Sequence, residues 1–193
     1  MRFITFLTCS FFLLTFYTEA STHSKEAELH YQRAMKLSQQ KLWKDAIPEF
    51  IKAAKILPNK GLIHANLGVA LSQTGMFKEA LFSFDQALKL GYDSSGLRYN
   101  RGVSFARLNL IDEAIKELEI ALSLDRRMVK AEYDLGILFN RQGNRKKARE
   151  KVDILFKRNN KLAKKLFDQI IPEYKVITVD NGCLLYTSDA ADE

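Results

Sequence analysis

The most chemically versatile side chains in this 193-residue chain are three histidines, His23, His30 and His64. His30 and His64 stand 34 residues apart, so repeated structure could bring them close enough to share a metal ion. Two imidazoles alone make a poor site, because zinc normally takes four ligands, and the pair reads as surface or packing histidines. No nucleophile, base and orienting group can be assembled from residues 27–160. There is also no glycine-rich phosphate loop and no cluster with metal-ligand spacing. The expectation is therefore a chain without catalytic residues, cofactor, metal or small-molecule substrate.

What recurs instead is small residues at one fixed spacing. Ala46, Ala80, Ala114 and Ala148 are each 34 apart. Gly68, Gly102 and Gly136 keep the same interval, with Ala34 in the corresponding earlier place, and so do Ala53, Ala87 and Ala121, followed by Leu155. A fixed period of this length marks stacked supersecondary units. The blocks are 27–60, 61–94, 95–128 and 129–162. Each carries two apolar runs at helical spacing, such as Leu62, Ile63, Leu67 and Leu71, then Phe77, Leu81, Phe84 and Leu88. Gly75 and Gly143 fall between the runs and predict a break between two helices.

The periodic glycines call for a packing reason, since a glycine inside a helix costs about 1 kcal/mol relative to alanine. The expected reason is that the two helices of each pair cross there without room for a side chain. Ala80, Ala114 and Ala148 would face the crossing, and Phe50, Phe84 and Leu118 would fill the space between one pair and the next.

On Leu67-Gly68, Leu71, Phe77, Ala80, Phe84 and Ala87, with Pro58 closing the first block, the pattern resembles the tetratricopeptide repeat. The resemblance covers residues 27 to about 160. It implies an all-α fold, a right-handed α-solenoid of four stacked antiparallel helix pairs plus a C-terminal capping helix. The first block departs from it, with Arg33-Ala34 where Leu-Gly is usual. Pro48 lies inside its second helix, where a kink is expected.

The two ends read differently. Residues 1–20 have the form of an export signal: Arg2, an apolar run from Phe3 to Tyr17, and small residues in Thr18-Glu19-Ala20 suited to cleavage after Ala20. An uncleaved N-terminal anchor is the alternative, and either implies export to the periplasm or beyond. Residues 183–193 resemble a sequencing adapter translated in frame, which implies a natural chain continuing past Gly182. Without its three acids, Asp189, Asp192 and Glu193, the formal charge rises from +7 to +10. The two cysteines, Cys9 and Cys183, lie in these end segments, leaving no disulfide or thiol chemistry between them. Residues 161–171 read as an amphipathic capping helix built on Leu162, Leu166 and Ile170. Pro172 opens a further region, 172–182, with strand composition at Lys175–Val179 and a turn at Asp180-Asn181-Gly182.

In the family resembled, the first helix of each repeat lines a groove that binds a partner. Carried onto this chain, the groove-facing columns are Tyr31, Ala65, Tyr99 and Tyr133; Gln32, Asn66, Asn100 and Asp134; Met35, Val69, Val103 and Ile137; and Gln39, Gln73, Arg107 and Arg141. Asn66 and Asn100 could grip a peptide backbone, since an amide both donates and accepts. Tyrosines add contact area at low entropic cost, and Arg107 and Arg141 could pair with a carboxylate. The alternative is that the amides bond within the array and the tyrosines only pack. The amide column is similar to the asparagine ladder of glycosyltransferase solenoids, which leaves open a recruiting arm of a larger enzyme or membrane protein. It lacks the basic partners of the chaperone-tail clamp, because Tyr31, Met35, Ala65 and Val69 stand in their places.

The basic residues crowd late, from Arg141 to Lys165. A solvated face accounts for them, with an acidic protein partner or a membrane surface as alternatives. Nucleic acid is not expected, because no aromatics interleave with the cations. The reading that results is a non-catalytic interaction module holding a peptide or protein ligand, with self-association as a third reading.

Overall fold

The computed structural model describes the backbone of residues 4–170, 174–179 and 183–188, and side chains within 22–159 and 161–170. Two compact units divide the chain, residues 1–93 and 94–193. In the first, α1 (Ile4–Gln39) packs on α2 (Trp43–Ile56), α2 on α3 (Gly61–Gln73), and α3 on α4 (Phe77–Lys89). In the second, α5 (Ser95–Arg107) packs on α6 (Ile111–Leu124), α6 on α7 (Val129–Arg141), and α7 on α8 (Arg145–Phe156). A ninth helix, α9 (Asn160–Ile170), lies against both α7 and α8. Among the described residues the repeats are therefore all-α, with four helix pairs and one further helix; the second, third and fourth pairs each fall inside one 34-residue block, while α1 begins ahead of the first block.

The break inside each pair is made by one device. At the periodic positions Lys41, Gly75, Asn109 and Gly143 the backbone is left-handed, with φ of 61°, 84°, 63° and 76°. The next residue returns its N–H to a carbonyl five residues back: Leu42 to Leu37, Met76 to Leu71, Leu110 to Phe105 and Asn144 to Phe139. This is the hydrogen bond that closes a helix through a left-handed residue. Glycine reveals the turn in the second and fourth blocks, whereas lysine and asparagine make it in the other two.

The periodic glycines sit where a side chain would collide with a neighbour. A Cβ on Gly68 would come within 2.6 Å of the Phe84 ring, and one on Gly102 within 3.1 Å of Leu118 and 3.2 Å of the Ala114 carbonyl. Phe84 and Leu118 thus lie over the glycine of their own pair, and do not only fill the gap between pairs as the sequence suggested. At Gly136 the obstructing residue is Leu166 of α9, so the ninth helix takes the place an own-pair contact was expected to hold. Ala163, Leu166, Phe167 and Ile170 of α9 are buried against the fourth pair, which explains the apolar face of 161–171; Leu162 is only half-buried.

Pro48 does not interrupt α2, which runs unbroken from Trp43 to Ile56. The proline lies early in the helix, so its missing N–H removes one hydrogen bond while the buried Ala46, Phe50 and Ala53 hold the rest in place. α1 is continuous through Thr18-Glu19-Ala20, so the expected leader and the first repeat share one helix. Among the described residues no helix is long and apolar enough to cross a membrane. The strand expected at Lys175–Val179 is present as β1 (Tyr174–Val179). It pairs antiparallel with β2 (Cys183–Ser188), Tyr174 opposite Ser188 and Val179 opposite Cys183. β2 thus takes up part of the 183–193 segment that the sequence reading set outside the fold, since Leu184, Leu185 and Tyr186 suit a strand. Pro172 and the turn at 180–182 lie outside the described residues.

Candidate partner-binding site

First helices present side chains three and four residues apart along one face, and this spacing assembles the site in the second unit. α5 contributes Tyr99, Val103, Ala106 and Arg107; α7 contributes Asp134, Ile137, Leu138 and Arg141; Leu118 of α6 closes one side. Together they line a cavity of about 280 Å³. Six of the residues in the groove columns read from sequence, Tyr99, Val103, Arg107, Asp134, Ile137 and Arg141, line it.

The cavity has a fixed polar centre. Tyr99 donates its hydroxyl proton to Asp134 Oδ2 at 2.8 Å. Burial pushes the Asp134 carboxyl above the ordinary aspartate value, and the Tyr99 hydrogen bond and the charges of Arg107, Lys130 and Lys165 pull it back only in part. The Tyr99 phenol is pushed well above its usual value by burial and then by the neighbouring Asp134 charge. Arg107 and Arg141 are exposed at the rim. Arg141 donates to Asn109 Oδ1 at 2.7 Å, which holds the guanidinium beside the α5–α6 turn. Two cations and one already engaged carboxylate make the cavity net positive.

The tyrosine column is tied to the polar column of the following repeat, a pairing the sequence did not suggest. Asn66 Nδ2 donates to the Tyr31 hydroxyl at 2.9 Å, 35 residues away, just as Tyr99 meets Asp134. Tyr133 continues the series by donating to Gln169 Oε1 of α9 at 2.7 Å. The amides are therefore not idle. Asn66 is joined to Tyr31, and Asn100 Nδ2 donates to the Gly96 carbonyl of its own helix at 2.8 Å. Gln32 is exposed and donates to Glu28 at 3.2 Å. The amides and tyrosines thus bond within the array, as the second of the two readings expected, and Tyr99 also lines the cavity.

A second cavity, of about 290 Å³, lies in the first unit. Met35, Ser38 and Gln39 of α1, Trp43 and Phe50 of α2, and Asn66 and Val69 of α3 line it.

The histidines do not meet. His30 Nδ1 lies 2.6 Å from Glu49 Oε2, while His64 Nε2 bonds the Pro58 carbonyl at 2.8 Å. Among the described residues no group of three or more His, Cys, Asp or Glu could hold a metal ion. The His30–Glu49 contact belongs instead to a column of pairs found in the first, third and fourth repeats. At the same positions Arg98 meets Glu117 at 3.2 Å and, with the signs exchanged, Glu132 meets Lys151 at 2.8 Å. Arg101 also reaches Glu117, at 2.5 Å. The signal for this column was present in the sequence as complementary charges 19 residues apart in the third and fourth blocks, with His30 and Glu49 at the same spacing in the first. Late cations are partly engaged as well: Lys165 stands over the Tyr133 ring and Lys147 over Phe139.

A family model described as Tetratricopeptide repeat matches residues 65–128 and 99–161. No curated protein sequence matches the chain. Among solved structures, MamA from Desulfovibrio magneticus RS-1, from its residue 41 onward, has a TM-score of 0.66 at 20% identity, over 70% of this chain and 77% of that one. YrrB, described as a TPR protein with an unusual peptide-binding site, gives 0.61 at 21% identity over 81% of this chain and 91% of that one. The first TPR domain of Spaghetti (RPAP3), bound to the HSP90 peptide SRMEEVD, gives 0.59 at 21% identity, over 62% and 95%. At such identities the likeness is one of fold.

Proposed function

Because the chain belongs to the tetratricopeptide repeat family, we propose that it is a non-catalytic module that binds an extended peptide or protein segment along the first helices of its repeats. The observation that carries this reading is the cavity between α5 and α7 with Arg107 and Arg141 at its rim. Asp134 already accepts from Tyr99, so the chemistry left for a ligand is that of two guanidinium forks. Such forks suit a carboxylate, which they can bind through paired charge-assisted hydrogen bonds. The ligand is therefore a segment carrying an aspartate, a glutamate or a free C-terminus. Val103 and Ile137 supply apolar walls for the aliphatic part of that group.

The peptide-binding descriptions of YrrB and of the Spaghetti domain support the general reading. The second of these holds an acid-rich sequence, SRMEEVD, although the basic residues of the chaperone-tail clamp are missing here. An exported location is part of the proposal and rests on the signal-like residues 1–20; N-terminal sequencing of the protein recovered from a bacterial host tests it, with Ser21 expected as the first residue.

The binding claim is tested by panning a phage-displayed library of linear peptides on the full chain and titrating the selected peptides calorimetrically. Acidic residues are expected to be enriched. The double variant Arg107→Ala, Arg141→Ala is expected to bind about tenfold more weakly or worse, the scale of a lost hydrogen bond to a charged group. Peptides without acids, or equal affinity in the variant, would overturn the reading.

A further inference from the structure

The outer faces of the second helices carry two kinds of surface. On each of these helices, four positions of the repeat lie opposite the buried residues and fall on one stripe. The stripe holds Lys44, Pro48, Ile51 and Lys55 on α2, and Lys78, Phe82, Asp85 and Lys89 on α4. At the same positions α6 holds Asp112, Lys116, Glu119 and Ser123, and α8 holds Lys146, Glu150, Asp153 and Lys157. The last two repeats thus present a solvated face of mixed charge. In the first two, apolar residues take the middle of the stripe and a lysine stands at each end.

These apolar residues are open to solvent. Phe82 is 67% exposed and Ile51 40%, and Pro48 is exposed as well. The core does not use them, since α2 and α4 bury Ala46, Phe50 and Ala53, and Ala80, Phe84 and Ala87, on their opposite faces. The packing of the array gives no reason for a phenylalanine where the next repeats place Lys116 and Glu150. Exposed apolar surface rimmed by polar groups marks a docking face.

The rim says what docks. Lys44, Lys55, Lys78 and Lys89 are all exposed, and Asp85 is the one acid of the two stripes. Lys44 and Lys55 stand about 16 Å apart along α2 at the helical rise, so the cations border a broad face. Lysine stems lie along apolar surface while their ammonium groups reach outward. Apolar side chains between such lysines suit the boundary between lipid headgroups and acyl chains. A second copy of the chain would set the same lysines against one another. α1 of this unit begins with the apolar run read as an export signal or anchor and continues unbroken into the first repeat, and either role brings the unit to a membrane.

We propose that the outer face of α2 and α4 docks on an anionic phospholipid bilayer, with Phe82 and Ile51 entering the interface and the four lysines meeting lipid phosphates. This face belongs to the second helices, so it stands or falls apart from peptide binding along the first helices.

Contact is read from a tryptophan placed on one stripe at a time in the full chain. The reporters are Phe82→Trp and, as control, Lys116→Trp, each combined with Trp43→Phe to silence the sole native tryptophan. Vesicles have brominated acyl chains and consist of phosphatidylcholine alone or of equal parts phosphatidylcholine and phosphatidylglycerol. The Phe82→Trp reporter is expected to be quenched and shifted to shorter wavelength on the mixed vesicles and not on phosphatidylcholine, with the Lys116→Trp reporter unaffected. This readout is specific to position, so it holds even where residues 1–20 keep the chain on the vesicle. Adding Lys55→Gln and Lys89→Gln should weaken the Phe82→Trp response about twentyfold, since one lysine near an anionic surface is worth roughly fivefold. Adding Lys146→Gln and Lys157→Gln removes the same charge from α8 and should change it by less than about twofold. Equal quenching at the two reporters, or an equal loss from the two lysine pairs, would overturn the proposal. So would a Phe82→Trp reporter that is never quenched, a result that would leave the face to a protein partner.

Discussion

Replacing Gly68 by alanine sets two measurable effects against each other. Alanine is the better helix former by about 1 kcal/mol, and on propensity alone the variant should be more stable. The new Cβ, however, would lie 2.6 Å from one ring carbon of Phe84 and 2.7 Å from the next. Phe84 is fully buried, so its ring has no open space to enter, and overpacking of this kind costs about 1–3 kcal/mol. The balance is a loss of up to about 2 kcal/mol. Gly102→Ala meets Leu118 at 3.1 Å, a contact a few tenths of an ångström of side-chain movement relieves, and should fall near wild type. Gly96→Ala meets nothing within 4 Å and should gain a few tenths of a kcal/mol, up to about 1. Urea denaturation followed by far-ultraviolet circular dichroism ranks the three, and Trp43 fluorescence follows the first unit by itself. A Gly68→Ala protein more stable than wild type would refute the claim that the glycine exists to admit the Phe84 ring.

Glu117 is buried and meets Arg98 and Arg101, so Glu117→Gln should cost about 3 kcal/mol by removing the carboxylate charge that faces both guanidiniums, whereas Glu113→Gln on the exposed face should stay within about 0.5 in the same urea titration. Because burial raises the Asp134 carboxyl above its ordinary value of 3.8, the folded state disfavours its ionised form. Its contribution to stability therefore falls as pH rises from the unfolded value through the folded one. Asp134→Asn keeps an acceptor for Tyr99, and it should match wild type in acid and exceed it at neutral pH when denaturation midpoints are compared across that range. Lys41 pays for a left-handed φ of 61° that glycine adopts freely. Lys41→Gly should gain up to about 1 kcal/mol net of unfolded-state entropy; a lower midpoint would count against the shared turn device.

How much the sequence revealed depends on whether a feature is set by one residue or by a meeting of several. Alanine and glycine positions recur because backbones approach there, so the period and the helix pairs could be read directly. Gly75 and Gly143 disclosed the turn, while Lys41 and Asn109 perform it without the residue that signals it. The packing order at Gly136 was hidden because the obstructing Leu166 comes from outside the repeats. Of the columns carried over from the family, Tyr99, Arg107, Asp134 and Arg141 line one cavity. They did not show that Tyr31 meets Asn66 or that Asn100 bonds its own helix, because those partners are set by the offset between adjacent helices. The charge column of Arg98–Glu117 and Glu132–Lys151 was legible as an exchange of sign at constant spacing.

The central claim is that a partner's carboxylate seats between α5 and α7. The most direct measurement is a nuclear magnetic resonance titration of the isotope-labelled full chain with an acidic peptide from the library selection. The account predicts shifts centred on Val103, Arg107, Ile137 and Arg141, lost in the double variant Arg107→Ala, Arg141→Ala. Shifts confined to the outer face of α6 and α8, or a pattern that survives the double variant, would contradict it.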